Sequence, residues 1–177
     1  RQMCIRDSPW IGGMRRVQSR EHLPSGGCLA VEISLLKAAR VFLVGRSADG
    51  ELTELFPSEC PAFRQIDAQL RPGKRLRFPP LSNPGQGILE LDDSAGMEKV
   101  YAIAITEPDL ANRFADRLAQ HRGLCRPAKD FENLMPVASL VSSNRRIQYW
   151  LKYLSHLSGR YPEMVEWREI LFWHDPP

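Results

Sequence analysis

Residues 41–58 read VFLVGRSADGELTELFPS. Val41 to Val44 form an unbroken apolar run, and Leu52, Leu55 and Phe56 recur among Glu51, Thr53 and Glu54 up to Pro57. Between the two runs, Asp49-Gly50 can supply the positive backbone dihedrals of a tight hairpin turn. The stretch predicts two antiparallel strands. The first is apolar enough to be covered on both faces, and the second ends at Pro57, which has no N–H to give to a ladder.

The neighbouring segments extend the same reading. In residues 28–35, CLAVEISL, Leu29, Val31, Ile33 and Leu35 alternate with Ala30, Glu32 and Ser34, the period of a half-buried strand. After the Arg71-Pro72-Gly73 turn, residues 74–78 place Leu76 and Phe78 on one face and Arg75 and Arg77 on the other. Ile88, Leu89 and Leu91 predict another short strand, and Val100 to Ile105 a second central strand that matches Val41 to Val44. Short strands separated by frequent turns predict a mainly β fold, an Ig-like antiparallel β-sandwich over residues 28–106.

Residues 107–177 predict a helical and Trp-rich extension packed on the same domain. Thr106 reads as an N-cap, with Pro108 in the first turn and Asp109 three residues on. Leu110, Phe114 and Leu118 then recur every fourth residue, and Gly123 is the expected stop. A second helix is expected from an Asn144 cap through Trp150, Leu151, Leu154 and Leu157 to Gly159. The closing VEWREILFWHD reads as a terminal strand at a sheet edge, with Val165, Trp167, Glu169, Leu171 and Trp173 on one side and His174-Asp175 as an exposed terminus.

Residues 1–27 read as a loose leader rich in Gly, Arg, Ser and Pro. Its first eight residues, RQMCIRDS, look like translated sequencing-adapter sequence of a metagenomic fragment, in which case Arg1 to about Ser8 do not belong to the protein.

The formal charge of +3 is carried by residues 1–22, and the rest of the chain is neutral overall. A basic face for nucleic acid is therefore not expected. No apolar run reaches the ~20 residues of a membrane-spanning helix. Outside the leader, Cys28, Cys60 and Cys125 form no C-x-x-C pair, which argues against zinc and thioredoxin-like chemistry. Cys60 and Cys125 both lie in proline-containing loops, and a disulfide between them would be consistent with export.

The sequence holds no G-x-S-x-G elbow, phosphate loop or H-E-x-x-H. His121 and His156 fall near helix ends, where imidazole meets the dipole favourably. Gly123 between His121 and Cys125 breaks the helical spacing that a dyad would need. Asp92-Asp93 reads as a solvated turn with too few oxygens for calcium. Arg46, Arg75 and Arg77 could form an anion-binding strip or be the polar side of amphipathic strands. Trp150, Trp167 and Trp173 could make a sugar platform, although their spacing fits core packing better. No catalytic, metal or cofactor site is expected.

With GMEKVYAIAIT at residues 96–106, the hairpin resembles an uncharacterised bacterial domain family with a D-G-x-[LV]-x-x-L-[FY]-P hairpin and a G-x-E-x-[VI]-x-A-I-A strand. The positions are Asp49, Gly50, Leu52, Leu55, Phe56 and Pro57, then Gly73, Phe78 and Pro79, then Gly96, Glu98, Val100, Ala102, Ile103 and Ala104. The resemblance spans about Ala30 to Thr106. Members look like modules attached to bacterial protein kinases, caspase-like peptidases or exported proteins. It implies a non-catalytic accessory module for sensing, protein contact or ligand binding, with an extracytoplasmic place favoured. Its partner would be a neighbouring domain or another protein, meeting a docking surface beside Trp167 and Trp173. The alternatives are a small hydrolase with Cys60 or Cys125 as nucleophile, or a free periplasmic carbohydrate or ligand binder.

Overall fold

The two unbroken apolar runs lie side by side at the middle of one sheet, the position in which both faces of a strand are covered. The computed structural model describes residues 2–6, 14–16, 18–23, 28–48, 50, 52–57, 67–78, 89–90, 95–118 and 140–175. In chain order its strands are β1 (Gln2–Arg6), β2 (Met14–Arg16), β3 (Glu21–Leu23), β4 (Cys28–Ser34), β5 (Ala39–Arg46) and β6 (Leu52–Phe56). Then come β7 (Gln69–Leu70), β8 (Arg75–Phe78), β9 (Leu89–Glu90), β10 (Gly96–Ile105), the helices α1 (Pro108–Leu118) and α2 (Leu140–Arg160), and β11 (Val165–His174).

Among the described residues, one sheet has the order β2-β1-β4-β8, with β9 also on β4; the other has the order β3-β11-β10-β5-β6, with β7 also on β5. Every pairing is antiparallel except that of β3 with β11. The chain is mainly β, a β-sandwich with helical additions.

The period of two along β5, β10 and β11 divides their side chains between two cores. Val41, Leu43, Val100 and Phe172 face the other sheet and pack with Val31, Ile33, Leu76 and Phe78. Phe42, Val44, Tyr101, Ile103, Ile105 and Val165 face the helices and pack with Leu110, Phe114, Trp150 and Leu154. Phe114 gathers the aromatic part of this second core, with Phe42 at 4.8 Å and Trp150 at 5.7 Å between ring centroids. Arg40 ties α1 down by donating from Nη1 to Asn112 Oδ1 at 2.8 Å.

The hairpin joins β5 to β6 through residues 47–51, and Gly50 N–H donates to the Ser47 carbonyl at 3.0 Å. Gly50 has φ +90°, while Asp49 lies outside the described residues. Glu54 pairs with Val44 and Phe56 with Leu43, so Leu55 is an extra residue, a β-bulge. The bulge sends Leu55 over Gly45, where a Cβ would stand 3.3 Å from its Cδ1, and lets Phe56 enter the sandwich core fully buried. Phe56 meets Phe78 there at 5.5 Å. The Phe56-Pro57 bond is cis.

Several local expectations are corrected. The stretch read as a loose leader contributes β1, β2 and β3, because short strands are held by backbone pairing, β1 to β4, β2 to β1 and β3 to β11, and need no long hydrophobic period. Glu107, not Thr106, caps α1: its carboxylate accepts from the N–H groups of Asp109, at 3.0 Å, and Leu110. The Thr106 hydroxyl turns instead to the Met164 carbonyl. The second helix begins at Leu140, upstream of Asn144, and runs to Arg160, past Gly159. His174 is 2% exposed rather than part of a solvated terminus, with Nδ1 3.2 Å from Glu98 Oε1. It continues the even-numbered side of β11, on which Ile170 and Phe172 also lie.

Candidate functional site

The sandwich is not packed evenly along its length. On the face of the central sheet that looks toward β4, successive cross-strand rows are Phe172 beside Glu98, Ile170 beside Val100, Arg168 beside Ala102 and Leu43, then Glu166 beside Ala104 and Val41. Bulky residues close one end. At the other, β10 supplies only the two alanines, while its larger Tyr101, Ile103 and Ile105 face the helices.

The missing side-chain volume leaves an apolar cleft of about 300 Å³ between the sheets. Val31, Ile33 and Leu35 of β4 and its following turn form one wall, and Val41, Ala102 and Ile170 contribute to the other. Charge is confined to its margin. Glu166 and Arg168 pair with each other at 3.0 Å and remain substantially exposed, and Glu32 pairs with Arg77 at 3.6 Å. Among the described lining residues there is no histidine or cysteine, and Ser34 is the only hydroxyl. The geometry suits enclosure of an apolar group.

The helix-side face of the same sheet changes character in the opposite sense. Beyond Trp167 and Ile103, the rows carry Glu169, Tyr101 and Val44, then Leu171, Lys99 and Arg46. Lys99 Nζ lies 2.9 Å from Glu169 Oε2. Tyr101 is fully buried; its hydroxyl sits near Arg46 and Glu169 without a well-formed hydrogen bond to either. Burial, reinforced by the Glu169 carboxylate, raises its pKa above the ordinary value of 10.0, against an opposing effect of Arg46.

The two tryptophans of the expected docking surface share this face of β11 but differ in setting. Trp167 is half-buried against the helix-side core, 6.2 Å from Tyr101 between ring centroids. Trp173 is 41% exposed and stacks on His22 at 6.1 Å, and His22 Nδ1 lies 2.7 Å from Asp175 Oδ1. Trp150, on α2, is buried in the helix-side core.

Arg46, Arg75 and Arg77 do not converge. Arg46 belongs to the central sheet and faces the helices, whereas Arg75 and Arg77 lie on the outer face of β8 in the other sheet, and Arg77 is engaged with Glu32. Cys60, Cys125, His121, Asp92 and Asp93 fall outside the described residues. No cluster of metal-ligating side chains occurs among the described residues. No described helix is long and apolar enough to cross a membrane.

Sequence reasoning missed the cleft, although its signal is present: in VYAIAI the small residues all fall on one parity. An alanine in an apolar run reads as core, and only the opposite sheet shows that no described side chain fills the space beside it.

No curated protein and no solved structure matches the chain. Residues 22–108, from within β3 to the first residue of α1, match the family described as Domain of unknown function (DUF4384).

Proposed function

We propose that the chain is a non-catalytic accessory module of a larger bacterial protein, and that it binds through the cleft between its sheets. The supporting observation is the apolar cleft floored by Ala102 and Ala104, with Val31, Ile33 and Leu35 opposite and the Glu166–Arg168 pair at its margin. Such a site suits enclosure of an apolar group. The neutral balance of residues 23–177 favours recognition by shape and apolar contact over charge. An extracytoplasmic setting, next to a catalytic or sensing domain, fits the resemblance described above.

The test is filling the cleft. Ala102→Leu introduces a side chain on the cleft face of β10 without removing any core group. Titration with the fluorescent dye anilinonaphthalene sulfonate should show saturable enhancement with the wild-type protein and little with the variant, while their melting temperatures stay close. Equal enhancement in both, or none in the wild type, would refute binding in the cleft.

A further inference from the structure

The mouth of the cleft runs along a strand edge with directional bonding capacity. In an extended strand the N–H and C=O of one residue point to the same side, and successive residues alternate. The Leu171 carbonyl accepts from Arg20 N–H at 2.6 Å, and Asp175 N–H donates to the Leu23 carbonyl at 2.9 Å. Odd-numbered residues of β11 therefore direct their backbone groups outward, away from β10. β3 uses this edge only opposite Phe172, Trp173 and His174.

Further back along β11 the outward groups belong to Trp167 and Glu169. Among the described residues no strand lies against them; the Trp167 carbonyl is touched only by the guanidinium of neighbouring Arg168, at 3.3 Å. The Val165 N–H is already taken by the Tyr161 carbonyl, which limits the open ladder to this short stretch. The cleft opens beneath the same residues, since Glu166 to Ile170 contribute to its lining.

We propose that this stretch of β11 takes an extended segment of another protein as an added strand, in line with β3, with apolar side chains at alternate positions entering the cleft. The inference rests on the cleft being the binding element. The β3 ladder supplies the precedent, because the chain already pairs a strand on this edge immediately beyond Ile170. Main-chain pairing would supply attraction, and the cleft would supply selection for an apolar side chain at every second residue. The exposed Glu166–Arg168 pair, on the side of β11 that looks into the cleft, is the kind of charge that keeps an edge from pairing indiscriminately.

A fluorescein-labelled peptide of alternating leucine and threonine between terminal lysines tests the idea by fluorescence polarisation. A second peptide of the same sequence carries N-methyl groups on its threonine and leucine amides. When the leucines enter the cleft, the threonine amides turn toward β11 in an antiparallel strand and the leucine amides in a parallel one, so that this edge cannot pair in either direction. The unmethylated peptide should bind saturably and displace anilinonaphthalene sulfonate. The methylated form should bind about tenfold more weakly, the loss expected for two backbone hydrogen bonds. Ala102→Leu should weaken the unmethylated peptide while preserving the melting temperature. Equal binding of both peptides, or dye binding without peptide binding, overturns strand addition and leaves the cleft reading intact. Absence of dye binding as well overturns both. A dimer in light scattering that dissociates when peptide is added would assign the edge to a second copy of the chain and overturn the proposal.

Discussion

Gly96 and Ala48 approach so closely that a Cβ on Gly96 would stand 2.6 Å from the Cβ of Ala48. Gly96 begins β10 with φ +146°, and Ala48 lies in the β5–β6 turn. The two sequence motifs are thereby in physical contact: the hairpin turn rests on the first residue of the long central strand. Both the backbone angle and the contact demand glycine.

Gly96→Ala should therefore destabilise the protein by about 1–3 kcal/mol through strain and forced displacement of the turn. Gly73→Ala makes the control, because Gly73 has φ +77° but open space where its Cβ would be. It should cost only the backbone part, about 1 kcal/mol. Urea denaturation of both variants checks the difference, and equal losses would mean that the Ala48 contact is unimportant.

Phe56→Ala should cost about 3–5 kcal/mol, because the ring is fully buried and packs on Phe78 in the sandwich core. Leu55→Ala should cost less, since Leu55 is only half-buried on the bulge. If thermal melting gave the opposite order, Leu55 rather than Phe56 would be the anchor of the hairpin.

Glu107→Ala should cost about 1 kcal/mol by removing the carboxylate that satisfies two N–H groups at the start of α1. Thr106→Ala should cost less, because that hydroxyl reaches the Met164 carbonyl only at 3.4 Å. Circular dichroism during urea unfolding can rank them. A larger effect at Thr106 would restore it as the cap.

Tyr101 predicts an alkaline limit to stability. Its phenol has a pKa raised in the folded state above 10.0, so the unfolded chain releases this proton first as the pH climbs. The associated stability is complete below about pH 10, the unfolded value, and is lost as the pH rises through the folded value. Unfolding free energies across this range should fall more steeply for wild type than for Tyr101→Phe. Parallel curves would show that Tyr101 does not govern the decline.

Much of the fold was legible because burial leaves a pattern on the strands. Continuous apolar runs marked β5 and β10 as central, the alternation in residues 28–35 marked β4, and four-residue spacing marked α1. Local competition hid other features. Thr106 and Glu107 are both plausible caps, and only the fold fixes which side chain turns toward the free N–H groups. The Leu55 bulge cannot be seen from a Leu-Phe pair that looks the same in regular pairing. The burial of His174 is hidden in the sequence because Val165, Trp167 and Trp173 mark the odd side of β11, while the even side carries Ile170 and Phe172 into the sandwich. The cleft depends on a mismatch between sheets far apart in sequence, which no single segment records.

β11 pairs with β10 along the whole span from Gly96–His174 to Ile105–Val165, and among the described residues β3 pairs only with β11. A fragment cut after residue 108 would thus lose more than an appendage. It would strip ten consecutive residues of β10 of their β11 neighbour and leave β3 without the strand it pairs with. Such a fragment, cut where the family match stops, would expose the flank of a long central strand to every other copy in solution and collect as insoluble material. Supplying residues 140–175 as a separate polypeptide during refolding should return it to solution.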